Sequence, residues 1–294
     1  MSRFSVIEYD RYSWWKVIFS FNGSVLPNVL GRVGLLTAFS IFVCATNDYV
    51  LKIFDERLPK LNPIGHTILG TSLGLLIVFR TNSSNARYWE GRSHWGMMVN
   101  TCRSLTRMAK IYGSNASEFA TMLTAYVVCV KENLRGTKNF GMLSSLLNGR
   151  QYEKMVAANN PPSVLALFLS GLIKKEIEKG EIPIQITARM EEQVIKLLDA
   201  QGGCEKIIKT PLPFVYASLI KQVLFVYLYT LPFALATDMD WATPLVVAVV
   251  GFGMFGIEEA GVEIENPFGM QLNDLPLEKI CETISKDVAD IAKS

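Results

Sequence analysis

The sequence predicts an all-α integral membrane protein with four transmembrane helices and a helical cytoplasmic region, on three observations. Half of the 294 residues are hydrophobic, 19% are charged and the mean hydropathy is +0.25, whereas a soluble domain usually carries about a quarter charged residues. Four long apolar runs, nearly free of charge, come as two pairs with short connections, as re-entering hairpins would. Between the pairs lies a long stretch whose apolar residues recur at helical spacing, without strand-like alternation. A soluble helical protein with two buried hairpins is the alternative, and the pairing of the runs speaks against it.

Taken in order, Arg3, Glu8, Asp10, Arg11 and Lys16 interrupt any apolar core before residue 17, so the N-terminus does not read as a cleavable signal peptide. The first apolar run extends from Val29 to Ala45, with Arg32 near its start. The second extends from Ile64 to Phe79 and holds no charge. A spanning helix needs roughly 20 apolar residues, with about 17 as the lower end, so the second run falls just short. The middle region reads as soluble helices, among them Trp95 to Tyr112, Ser117 to Leu134 and Thr187 to Ile208. Breakers sit at Gly136, Asn159-Asn160-Pro161-Pro162, Gly180 and Gly202-Gly203, where helices are expected to end. The third run covers Pro213 to Thr237, with Lys221 in its first turns, and the fourth covers Trp241 to Ile257. After Asp274 and Pro276 a final helix is expected, whose stripe of Leu277, Ile280, Cys281, Ile284, Val288 and Ile291 suits docking better than membrane anchoring.

Basic residues gather before the first run (Arg3, Arg11, Lys16, Arg32) and after the second (Arg80, Arg87, Arg92, Arg103, Arg107, Lys110). The link between the third and fourth carries only Asp238 and Asp240, while the link from Asn47 to Asn62 is mixed in sign. The positive-inside rule then puts both termini and the middle region in the cytoplasm, in a multi-pass protein of the inner (plasma) membrane. The chain accordingly divides into residues 1–80 with the first helix pair, a cytoplasmic helical region over 81–212, the second pair over 213–258 and a cytoplasmic C-terminal segment over 259–294.

The composition excludes several classes. With 29 basic and 27 acidic residues the net charge is +2, far from the concentrated basic charge of a nucleic-acid binder. Five cysteines at 44, 102, 129, 204 and 281 and two histidines, His66 and His94, form neither a disulfide framework nor a zinc pattern. No nucleophile–base pair emerges, no cofactor is expected, and a membrane enzyme is the weakest reading. Gly251-Phe252-Gly253-Met254-Phe255-Gly256 fits a dinucleotide fingerprint only as a string; inside an apolar run, small residues serve close helix packing. Glu258, Glu259, Glu263 and Glu265 either bind a hard cation or pair with basic residues such as Arg80 and Arg87, and pairing is preferred.

The second run offers more. Thr71, Leu75 and Phe79 are spaced i, i+4, i+8 and share one helix face, with Gly70 and Gly74 on the neighbouring stripe. Around a symmetry axis such a face presents rings to a lumen; otherwise it packs on another helix. His66, near the outer start of that run, is either a candidate for the pore entrance or a plain surface histidine.

Phe79-Arg80-Thr81-Asn82-Ser83-Ser84-Asn85-Ala86-Arg87-Tyr88-Trp89-Glu90-Gly91-Arg92, followed by Trp95-Gly96, resembles the bestrophin segment after the second membrane helix. Gly202-Gly203-Cys204-Glu205 with Thr210-Pro211-Leu212-Pro213-Phe214 and Tyr216 resembles that family's entry into the third. Glu263-Ile264-Glu265-Asn266-Pro267-Phe268-Gly269 and Asn273-Asp274-Leu275-Pro276-Leu277 resemble the stretch after the fourth, and the short length looks like the bacterial branch.

The resemblance implies a homopentamer in a lipid bilayer, with the second helix lining a narrow neck and a second constriction near the cytoplasmic exit. The neck positions fall on Thr71, Leu75 and Phe79, and the lower constriction falls near Ile184 to Ile186. Thr71 departs from the bulky apolar residues common there. Met270, Gln271, Leu272 and Asn273 stand where animal bestrophins carry an acidic run that helps hold Ca²⁺, so no metal site is expected. The implied activity is passage of small monovalent ions. No Asp or Glu lies between Ile64 and Phe79, and aromatic edges carry partial positive charge, so chloride-type anions are favoured. A monovalent cation channel of the same fold and a non-conducting membrane scaffold are the alternatives.

Overall fold

A computed structural model describes residues 12–50, 63–180 and 182–294. Arg3, Glu8, Asp10 and Arg11, and most of the link from Asn47 to Asn62, lie outside the described residues. Among the described residues all regular structure is helical: α1 (Trp14–Ile18), α2 (Leu26–Ala45), α3 (Pro63–Tyr112), α4 (Ala116–Arg135), α5 (Gly149–Val156), α6 (Pro161–Glu178), α7 (Ile184–Lys209), α8 (Phe214–Met239), α9 (Thr243–Glu263) and α10 (Leu277–Lys293). The helices fall into two compact units. One is built from the stretches up to Ala86 and from Pro211–Glu265, the other from Arg87–Thr210 with Asn266–Ser294.

Among the described residues three helical stretches are long and apolar enough to cross a membrane, Leu26–Tyr49, Ile64–Tyr112 and Phe214–Glu263, and the first unit holds the first, the third and the part of the second up to Ala86. The third is folded back on itself. Asp240 takes a positive φ of 44°, and a single turn over Asp240–Ala242 separates α8 from α9. α2 opens on Leu26-Pro27 and α9 on Thr243-Pro244, positions where proline's missing N–H is harmless. Leu36 of α2, Leu73 and Ile77 of α3, Ile220, Leu224, Leu228 and Leu231 of α8, and Val247 of α9 form one core. Gly251 lets α9 close on α2: a Cβ there would come within 2.6 Å of Leu36 Cδ2. Of the glycine run, Gly251 thus acts in helix packing, whereas Gly253 has open space.

The second unit is organised on α4, which packs against α6, α7 and α10. Asn115 caps its start by accepting from the Glu118 N–H, and Gly136 ends it with φ 67°, a left-handed cap that glycine adopts without strain. Asn160 caps α6 ahead of Pro161-Pro162. The Tyr126 hydroxyl, buried in the centre, donates to the Leu197 carbonyl at 2.9 Å. Leu277, Cys281, Ile284 and Val288 bury the apolar stripe of α10 against α4, and Arg135 holds Glu278 in a two-pronged ion pair.

Two sequence expectations are corrected. The second apolar run and Trp95 to Tyr112 are not separate helices: α3 is continuous for 50 residues. The polar string after Phe79 holds no proline or glycine before Gly91, and two of its hydroxyls bond within the helix. Thr81 donates to the Ile77 carbonyl at 3.0 Å and Ser83 to that of Phe79 at 2.9 Å. Gly202-Gly203 does not end a helix but lies inside α7, because the His94 ring presses on Gly203 where any Cβ would stand.

Candidate functional site

α3 separates two chemistries on two faces. Leu73 and Ile77 face inward to the core. Thr71, Leu75 and Phe79 face outward together, with Leu75 57% and Phe79 54% exposed. The Thr71 hydroxyl donates to the Thr67 carbonyl of its own helix at 2.8 Å, so its methyl group is left to face outward. Exposed Ile64 and Ile68 extend the same side toward the helix start. Of the two neighbouring glycines, Gly70 accepts the Tyr227 ring of α8, since a Cβ there would meet it at 3.0 Å, whereas Gly74 has open space.

One residue beyond Phe79 the helix turns a charge inward. Arg80 is 3% exposed, and its Nη1 donates to Glu258 Oε1 of α9 at 2.5 Å; Glu258 is itself 2% exposed. Glu265 lies 3.6 Å from Arg80 Nη2. Arg32 of α2 reaches Glu259 at 2.9 Å and Glu258 at 3.7 Å, and Lys221 of α8 reaches Glu258 at 3.9 Å. Charges taken out of water persist only when paired, and here carboxylates of α9 gather the cations of three other helices. The sequence reading anticipated Arg80 in this role but missed Arg32 and Lys221. Their signal was a lone charge near the end of an apolar run, which calls for a partner. Arg87, also expected beside the acids, donates to the carbonyls of Ile207 at 2.5 Å and Thr210 at 2.6 Å and so satisfies the end of α7.

His66 is tied down. Its Nε2 lies 2.9 Å from Thr230 Oγ1 and its ring is tilted on Tyr227 at 5.8 Å. The lower pair divides: Ile184, at the start of α7, is 73% exposed, whereas Ile186 packs on its own unit's core. In that unit Lys206 donates to Glu90 at 2.6 Å and holds its carboxyl below the usual range, with His94 3.7 Å from the same carboxylate. No group of His, Cys, Asp or Glu among the described residues is arranged to hold a metal ion.

The bacterial/fungal bestrophin family matches residues 6–290. A voltage-dependent anion channel-forming protein of Synechocystis sp. is 37% identical over 286 residues, covering 95% of this chain and 91% of that protein. A protein of the same description in Escherichia coli K12 is 28% identical over 278 residues, covering 94% and 90%. The crystal structure of a bacterial bestrophin homologue from Klebsiella pneumoniae superposes with a TM-score of 0.84 at 25% identity, covering 90% of this chain and 99% of that one. With its motifs in order, its helices in the same arrangement and a match over nearly its whole length, the chain belongs to the bacterial/fungal bestrophin family.

Proposed function

We propose that the protein is the subunit of an anion channel of the inner membrane. Four helices, α2, the first part of α3, α8 and α9, cross the bilayer, and both termini lie on the cytoplasmic side. Five copies surround a pore whose neck is lined by Thr71, Leu75 and Phe79, with Ile184 as the lower constriction. The observation that carries this reading is the outward apolar face of α3. Leu75 and Phe79 stay half exposed while the opposite face of the same helix is fully packed. An apolar ring of this kind gates by dewetting.

Anions are favoured over cations on two grounds. The neck stretch from Ile64 to Phe79 holds no carboxylate, and cation pores often use Asp or Glu rings. Relatives covering nearly the whole chain are described as voltage-dependent anion channel-forming proteins. Ile186 belongs to the core rather than the pore in this reading, and His66 steadies the outer end of α3 through Thr230.

The test is single-channel recording of the purified protein in planar bilayers, with Leu75→Ala beside it. The smaller side chain widens the ring and raises unitary conductance. An unchanged conductance contradicts the neck assignment, and liposomes whose ion permeability the protein leaves unaltered favour a non-conducting scaffold.

A further inference from the structure

We infer that the buried Arg80–Glu258 pair is a positioning device that fixes the rotation of α3 and so aims Phe79 into the pore; this rests on the neck reading above. Phe79 and Arg80 are consecutive, so their side chains leave the helix about 100° apart. The first is half exposed, while the second is buried against Glu258 Oε1 at 2.5 Å. Leu75 and Phe79 on the outward face are more than half exposed within their own unit, so the orientation of that face is set largely from behind.

Behind it, two kinds of contact are available. Leu73 and Ile77 pack into the core of α2, α8 and α9, held by an effect that is non-directional. The ion pair adds a directional contact. Turning α3 by a few tens of degrees would withdraw the guanidinium from both Glu258 and Glu265 and leave the buried Arg80 charge without these carboxylates. Glu258 is held in turn by Arg32 and Lys221, so the reference point for α3 is shared by three other elements. Gly261, one turn further along α9, keeps the helices close at this level: a Cβ there would meet Thr81 Oγ1 at 3.3 Å.

The magnitude matters because the neck is narrow. A side chain reaching about 6 Å from the helix axis moves its tip roughly 2 Å for a 20° rotation. Repeated around a ring, that displacement separates a wetted constriction from a dry one. A buried pair adds little net stability by itself, and its attested value lies in specifying one arrangement over others.

The experiment uses the full-length channel, reconstituted and recorded in planar bilayers after size-exclusion chromatography shows that each variant assembles. Glu258→Gln, Arg80→Lys and the apolar double variant Arg80→Met/Glu258→Leu are compared with wild type. Each is then repeated on Phe79→Ala. The two single substitutions and the double variant are expected to change unitary conductance by about twofold or more in the Phe79 channel, through a displacement of about 2 Å at the ring. On Phe79→Ala they should change it little, since they act through that ring. A purely structural role predicts equal effects in both backgrounds, and that result overturns the inference. So does an assembled double variant with wild-type conductance. If the double variant fails to assemble, Arg80→Lys, which retains the charge but not the forked geometry, carries the comparison alone. Silence of the wild-type channel, or indifference to Leu75→Ala and Phe79→Ala, defeats the neck reading itself. A neck that responds to those two but not to the pair defeats only the positioning role.

Discussion

The ring of Phe268 rests on the backbone of Gly91: a Cβ at Gly91 would come within 2.8 Å of Phe268 Cζ and 3.1 Å of Pro267 Cγ. Two sequence motifs far apart in the chain, Tyr-Trp-Glu-Gly-Arg and Asn-Pro-Phe-Gly, therefore meet at one point. Phe268 is fully buried and has nowhere to retreat. Gly91→Ala is predicted to lower stability by about 1–3 kcal/mol through overpacking, although the same change in an open helix stabilises by up to about 1 kcal/mol. The thermal midpoint of the purified protein reads this. On Phe268→Ala the added methyl should cost less, with only the Pro267 contact at 3.1 Å remaining, and an equal loss in both backgrounds would refute the contact.

Acid should loosen α10. Burial alone raises the Glu278 carboxyl, but the Arg135 hydrogen bond and charge outweigh it and hold the group below its ordinary value. A folded-state pKa below the unfolded one gives stability that is complete above the ordinary carboxylate pKa of about 4.3. It is lost as pH falls through the lowered value. Between pH 7 and pH 3 the thermal midpoint of wild type is therefore expected to fall towards that of Glu278→Gln. A constant gap across that range is the opposing result.

The cysteines should be inert in the folded protein. Burial pushes the thiols of Cys129, Cys204 and Cys281 up to about 12 and that of Cys102 higher still. The thiolate is the reactive form, so maleimide at pH 7.5 is expected to label none of these four until denaturant is added. Rapid labelling of any of them in the native protein, read by mass spectrometry, contradicts this packing.

The lower constriction yields a paired prediction. Ile184→Ala should alter conductance and leave the thermal midpoint nearly unchanged, because the side chain is exposed in its unit. Ile186→Ala should do the reverse, costing about 1–2 kcal/mol of partly buried apolar area. Matching effects of the two substitutions would dissolve the distinction.

Much of this was legible in the sequence because charge and apolar length are one-dimensional signals. The helices ending at Gly136 and opening at Asn160-Pro161 followed from residues whose preferences are local. The face of Thr71, Leu75 and Phe79 follows from spacing, but whether it faces outward required knowing what Leu73 and Ile77 pack against. The continuity of α3 was hidden because a polar string after an apolar run looks like a linker, while Thr81 and Ser83 in fact satisfy themselves within the helix. Gly203 misled for the complementary reason. Its small size serves the His94 ring, and a tertiary contact leaves no trace in the local sequence. Arg32 and Lys221 carried a readable demand for partners, but not the identity of Glu258 and Glu259.

The most direct test is the reversal potential of the reconstituted channel under an asymmetric NaCl gradient, repeated with chloride replaced by gluconate and sodium by a bulky organic cation. Anion conduction predicts a reversal near the chloride equilibrium potential that shifts with the anion and ignores the cation. A reversal that follows sodium would contradict the anion assignment.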